Sequence, residues 1–279
     1  MKNELKQTLN WEVEQQELQI GNGTIKGKYA LRRTDTGEIL NICSDRYRPF
    51  YNSDLLRLVD KIEKISTFKL QGFEEFRKGR RLLAFLKNDE PGILGGEKVE
   101  DFLIIGNSHN SSSKVFAGMS NYMFRCENQF SGDLYSLRVK HVAGLDVETI
   151  NPQIILNKYH ENRTRLDQQV QEMMNTRLNW EEVVRYVDRL VEEAEPINLR
   201  TDMISRPSKR KREILDSVHR EMNDLGHTVW GFYNGITFYS SNILKGRSGF
   251  GITNGLGERF NRIAWECSQR AVNRTQVNR

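Results

Sequence analysis

The residues with the most reactive potential lie in the stretch Gly106–Lys114, GNSHNSSSK, which sets His109 among serines. A serine and a histidine make a nucleophile only when the base is oriented by a third group and an oxyanion hole faces the attacked atom. Residues one or two apart on a turn do not present that geometry, and Ser108 and Ser111 lack the Gly-x-Ser-x-Gly elbow. The stretch reads instead as the polar tip between two strands. Phe102–Ile105 is one strand, and Val115–Met119 with Tyr122–Cys126 is the other, bulged at Ser120-Asn121. His109 is expected to hydrogen-bond within the turn.

Other chemistry is as thin. The five histidines, His109, His141, His160, His219 and His227, form no i, i+4 pair, and Cys43, Cys126 and Cys267 have no CxxC spacing; neither pattern suits a metal. The cysteines read as reduced, mostly buried thiols. Carboxylates in FEEF and VEEAE suit solvated faces and helix ends. The stretch GRSGFGITNGLGERF has the glycines of a phosphate loop, but no Gly-Lys-Ser/Thr and no strand leading into it. The expectation is no catalytic residue, no metal and no cofactor, hence not an enzyme.

Charge points elsewhere. The net charge is +5 on 279 residues, and residues 200–279 carry 14 Lys/Arg against 7 Asp/Glu. A basic portion on a near-neutral body suits an anionic partner, with a merely solvated basic surface as the competing reading. Four basic groups stand out: Arg46-Tyr47-Arg48, the turn at 77–81, Ser208–Arg212, and Leu244–Arg247. Lys and Arg neutralise phosphates, and an aromatic beside them can stack on an exposed base. No zinc finger, helix-turn-helix or RNP motif is present. No apolar run is long enough to span a bilayer, and the N-terminus has no apolar leader, so a cytoplasmic, non-membrane chain is expected.

The elements that must position these groups divide into a β-rich front and a helical back. Tyr29 and Leu31, a turn at Asp35-Thr36-Gly37, then Ile39, Leu40 and Ile42 predict a hairpin. Asn52 or Ser53 starts a helix that turns Leu55, Leu58, Val59 and Ile62 to one face. Strand patterning resumes over 66–88 with a turn near Lys78-Gly79, and 89–101 reads as a loop. In the back, Ile155, Tyr159, Leu166, Val170 and Met173 make one stripe of a long helix. Asn179 and Glu182 form a capping box ahead of the next helix. A third helix closes at Gly226, and Gly231 and Gly235 mark a buried helix with a close neighbour, or else a strand. A final helix buries Leu256, Phe260, Ile263 and Cys267. The fold class is α+β, an antiparallel hairpin sheet in the N-terminal half backed by helices, with a helical C-terminal half. The expected organisation is an extension over 1–28, a β-rich domain over 29–150 and a helical region over 151–279, with a mobile basic segment near 200–212.

The run YALRRTDTGEILNICSDRYRPFYN resembles the opening of a phage and plasmid protein family, a domain of unknown function described as phage/plasmid-like. Its Arg-Thr/Asp-Thr-Gly turn and Ser-Asx-Xaa-Tyr-Xaa-Pro segment match Arg33–Gly37 and Ser44–Pro49. Its second block, Asn-Ser-His-Asx and then Arg-Xaa-Cys-Xaa-Asn, matches Asn107–Asn110 and Arg125–Asn128. TVWGFYNGITFYSSN is similar to its aromatic segment, and the resemblance covers roughly residues 29 to 270. One departure is Asn110-Ser111 where the family often has Asp-Gly. The family resemblance implies DNA metabolism of a mobile element. The hairpin front followed by helices also resembles, at the level of fold, phage single-strand annealing proteins of the Sak, Erf and Redβ kinds.

The expected function is therefore single-stranded DNA binding and annealing in recombination. The chain would act without ATP, as a homo-oligomeric ring or filament in the host cytoplasm. The alternative is a phage interaction or regulatory module that binds a host protein. The expected contacts are Arg46, Tyr47, Arg48, Lys114, Arg125, Lys209, Arg210, Lys211, Arg212, Lys245 and Arg247, with Tyr47 as a stacker.

Overall fold

A computed structural model of the chain describes residues 9–21, 23–123, 129–130, 135–194, 206–244 and 256–277. These residues hold ten strands and six α-helices. The fold is α+β as the patterning predicts, with antiparallel sheets in the N-terminal half and helices mostly in the C-terminal half. The chain divides into two compact units: residues 1–90, 101–119 and 133–162 form the first, and 91–100, 120–132 and 163–279 the second.

The first unit begins with a three-stranded antiparallel sheet in the order β1-β2-β3, from Val13–Ile20, Gly23–Arg33 and Ile39–Ser44. The turn predicted at Asp35-Thr36-Gly37 joins β2 to β3, closed by Arg33 N donating to Glu38 O at 2.9 Å. Strand β1 carries a weak signal, because only Val13 of VEQQELQI is buried; pairing with β2, Val13 opposite Arg33 and Gln15 opposite Leu31, makes it a strand. Helix α1, Asn52–Ile65, buries the four predicted apolar residues and packs on β4, Phe68–Phe76. Strand β5, Arg81–Asn88, pairs with β4 and buries Leu82, Ala84 and Leu86 at alternate positions, the period-2 signature of a sheet with one core face.

The segment read as a loop at 89–101 is largely strand. β6, Gly92–Leu94, turns at Gly95-Gly96 into β7, Glu97–Ser108. β8 spans Val115–Met123, a two-residue β9 at Gln129–Phe130 pairs with its end, and β10 spans Tyr135–Val139. The main ladder runs β10-β8-β7-β5-β4. The strand predicted to continue through Cys126 is described as far as Met123, and residues 124–128 lie outside the described residues. Helix α2, Pro152–Asn175, starts in the first unit and ends in the second. All five predicted stripe residues are buried, and Tyr159 meets Phe68 edge to face at 4.9 Å.

The second unit holds the rest of α2, then α3 (Trp180–Ala194), α4 (Arg206–Leu225), α5 (Val229–Phe238) and α6 (Leu256–Val277). The capping box is present: Asn179 N donates to Glu182 Oε2 at 3.1 Å and Glu182 N to Asn179 Oδ1 at 2.9 Å. α6 buries Phe260, Ile263 and Cys267, while Leu256 is half-buried. The basic segment expected to be mobile is helical from Arg206, and residues 200–205 lie outside the described residues. Gly226 closes α4 with φ +95°.

α5 is a helix, not a strand, and its glycines let α4 approach it. A Cβ built on Gly235 would lie 2.3 Å from Val218 Cα, and one on Gly231 2.4 Å from Gly226 O. Both obstacles are backbone, so neither can be relieved by a side-chain rotation. Gly235→Ala is expected to force α4 and α5 apart and to cost about 2 kcal/mol, in the range of core overpacking. Chemical denaturation reads this directly. A melt unchanged from that of the parent chain would mean the two helices do not pack at this crossing.

Candidate functional site

Three polar residues buried in the first unit, Asn52, Asn107 and His109, meet at the start of α1. The first N–H groups of a helix need acceptors and favour negative charge. Glu12 supplies both: its carboxylate accepts from Asn52 N at 2.9 Å and from Ser53 N at 2.7 Å. Asp54 Oδ2 accepts from Tyr51 N at 3.0 Å. The sequence places the cap on Asn52 or Ser53, but the Asn52 side chain is used elsewhere. Its Nδ2 donates to Trp11 O at 2.8 Å, which leaves Oδ1 to accept, and His109 Nε2 lies 2.9 Å from it. His109 therefore carries its proton on Nε2.

This corrects the expectation that His109 bonds within its own turn. The ring is fully buried, reaches across to α1, and lies edge-on to Trp11 at 5.7 Å. Burial, with His141 and Arg33 adding repulsion, pushes its pKa down to about 3. Asn107, two residues before it, donates Nδ2 to Phe50 O at 2.7 Å, so a side chain near the end of β7 and one just past it both tie to Phe50–Asn52. Ser108 has different partners: its hydroxyl donates to Ser113 O at 2.8 Å and accepts from Ser113 N at 2.9 Å, which closes the serine loop on itself. Trp11 is covered by the Arg33 guanidinium at 3.8 Å, and Arg33 is held by Asp35 at 2.8 Å and Glu75 at 2.5 Å. The hydrogen bond to Asp35, with Glu75 assisting, raises the Arg33 pKa.

A rim forms beside this node from Ser44–Pro49 and the segment after β10. Arg48 N donates to His141 O at 3.2 Å, and His141 Nδ1 donates to Arg48 O at 3.3 Å. Burial lowers the His141 pKa. Tyr47 stacks on His141, with centroids 5.1 Å apart and planes at 18°, and its hydroxyl donates to Ser108 O at 3.2 Å. Burial raises the Tyr47 pKa, so it stays a neutral phenol. Val115 pairs with Val139, which puts Lys114 and Lys140 side by side at the end of that ladder, and Tyr47 bridges Val142. The register thus brings together the backbone segments that carry Arg46, Arg48, Lys114 and Lys140 and the stacked pair.

Three of these cations, Arg46, Arg48 and Lys140, are exposed, and Lys114 is half-buried. None forms an ion pair among the described residues. Asp45, exposed in the same turn, is the carboxylate nearest in sequence. Elsewhere in the unit, acids hold Arg32, Arg33, Arg57, Lys61, Lys78 and Arg80.

The other predicted contacts are placed differently. Lys209, Arg210, Lys211 and Arg212 lie in the first turns of α4, in the second unit. Lys211 pairs with Asp188, and Lys209 reaches Glu213 at 3.9 Å. Lys209 and Arg212 are exposed and Arg210 half-buried. Arg125, Lys245 and Arg247 lie outside the described residues. Lys140 carries no signal in the sequence; His141 appears there only as one of the five histidines, and Asn52 only as a candidate helix start. No group of three or more metal-binding side chains occurs among the described residues.

The model of the family described as a domain of unknown function, DUF932, matches residues 39–276. No curated protein and no solved structure matches the chain.

Both buried imidazoles stay neutral in the folded chain, while an unfolded one titrates near the ordinary value of 6.5. Their contribution to stability is complete above that value. It is lost as pH falls through 6.5 toward the folded value of His109, by up to about 1.4 kcal/mol per pH unit for each histidine. His109→Gln keeps an N–H for Asn52 but does not titrate. Denaturant unfolding between about pH 7 and about pH 4 should therefore show a shallower pH slope for His109→Gln than for the parent chain. Equal slopes would remove His109 from this account.

Proposed function

We propose that this chain, which belongs to the family of the domain of unknown function DUF932, binds single-stranded DNA along the rim of Arg46, Arg48, Lys114 and Lys140 and anneals complementary strands without ATP. The observation that carries the reading is that adjoining backbone segments carry four cations without an ion pair among the described residues, in a unit where acids hold many of the others. A cluster of like charges is unfavourable unless an anion neutralises it, and a phosphate backbone does so while releasing its own counterions.

Tyr47 and His141 serve this reading as positioning residues. One face of the Tyr47 ring is covered by His141 and its hydroxyl is used on Ser108, so stacking on a base would fall to the other face. Phosphate contacts fix a strand without reading its sequence, which suits annealing, where complementarity is tested by the bases themselves. The second cationic group, at the start of α4, extends the same chemistry to the other unit. Action as a homo-oligomer inside the host cell belongs to the same proposal. No helix among the described residues is long and apolar enough to cross a membrane.

The test is titration of labelled single-stranded and duplex DNA at low and high salt, with a nucleotide-free annealing assay beside it. Single strands should bind more tightly. Arg48→Ala with Lys140→Ala should flatten the dependence of log K on log salt by about 0.7 per cation removed. Equal affinity for duplex, or an unchanged salt slope in the double variant, would overturn the assignment of this rim.

A further inference from the structure

Strands β1 and β2 run on past the rest of their sheet as a two-stranded arm. β3 ends at Ser44, opposite Lys28, so residues 23–27 of β2 extend beyond it. No described residue from 14 to 28 is buried. Both faces of the arm are therefore open, whereas an antiparallel sheet commonly packs one face on a core. The arm grows from the rim. Lys28 stands beside Ser44, where the rim's first segment begins, and Gln15 Nε2 donates to Tyr47 O at 3.2 Å.

The stem of the arm is bulged. Glu17 pairs with Tyr29 and Gln19 with Thr24, so Leu18 alone stands opposite residues 25–28. Gly27, at φ +74°, takes the left-handed conformation within the bulge. Bulges re-aim side chains and recur beside functional sites. This one carries Lys26 and Lys28, both exposed and neither in an ion pair among the described residues. Of the arm's two acids, Glu14 lies 4.0 Å from Arg32. Glu17 falls opposite Tyr29, on the other face from Lys28. Toward the tip the arm is apolar, with Ile20 69% and Ile25 37% exposed.

On the reading of the rim as a single-strand contact, we propose that the arm continues that contact: Lys26 and Lys28 take phosphates, and Ile20 and Ile25 lie against unpaired bases. The order of groups selects that occupant. A single strand offers a charged backbone beside apolar base faces, and the arm offers cations at its stem and apolar side chains at its tip. Each lysine neutralises a phosphate and releases its counterion. Aliphatic side chains set against bases keep neighbouring bases from stacking on each other. Bases held apart in this way stay open to a complementary strand, as annealing requires. In a duplex the base faces are already covered by stacking, so the arm favours single strands. A two-stranded ribbon is marginal by itself in water, and the bound strand supplies the surface that the arm lacks.

The test uses the full chain and a single-stranded oligonucleotide carrying 2-aminopurine, whose fluorescence rises when its neighbours unstack. Saturating parent chain should raise the signal. Lys26→Ala with Lys28→Ala should flatten the dependence of log K on log salt by about 0.7 per cation removed and keep the rise at saturation. Ile20→Thr with Ile25→Thr, which stays β-branched, should do the reverse, keeping the salt slope and losing most of the rise. Neither pair is buried, so both variants should melt with the parent chain. An unchanged slope in the lysine variant, or an unchanged rise in the isoleucine variant, overturns the proposal. Arg48→Ala with Lys140→Ala is measured beside them. If it flattens the slope while the arm variants do not, the arm falls and the rim stands. A parent chain that binds no single strand ends both.

Discussion

The first unit depends on one hydrogen-bonded junction, the side chain of Asn52. It donates to the Trp11 carbonyl and accepts from His109, while its own N–H is taken by Glu12. Three segments distant in sequence, the lead into β1, the start of α1 and the tip after β7, meet at one buried residue. A buried donor or acceptor left without a partner costs about 1–3 kcal/mol. Each of the three segments therefore constrains the other two. The neutral state of His109 belongs to the same constraint, since a charged ring beside Arg33 and His141 would be strongly disfavoured at that depth.

The rim inherits its shape from that junction. His109 fixes the end of β7, so the Ser108 carbonyl is held where the Tyr47 hydroxyl can reach it. Tyr47 in turn lies flat on His141, and the paired backbone bonds between Arg48 and His141 align their two segments. The cations project from this frame and are not part of it. That separation suits the proposed binding surface, because the charges remain available to a partner.

Much of the secondary structure was legible, and the reasons are physical. The α1 stripe, the capping box at Asn179 and Glu182, and the paired glycines of α5 are local patterns whose periods survive in a single sequence. β1 was hidden because a strand with one buried residue has no period to show. The 89–101 segment read as a loop because Gly95 and Gly96 dominate it, although those glycines serve the turn between β6 and β7. The resemblance marked both Ser44–Pro49 and Asn107–Asn110 as blocks, but nothing local says that they touch. Only the tertiary register joins Tyr47 to Ser108 and sets Lys114 beside Lys140.

The same distinction separates the two cationic groups. Ser208–Arg212 is the denser run in the sequence, yet acids on α3 and α4 hold Lys211 and Lys209. Cations opening a helix also face its positive dipole end. A partner phosphate there must displace Asp188 or Glu213 before it gains a full contact, whereas at the rim it meets cations with no ion pair among the described residues. Counting basic residues along the chain ranks the groups by density. Counting acids in space reverses that order, and under the proposed reading it favours the sparser rim.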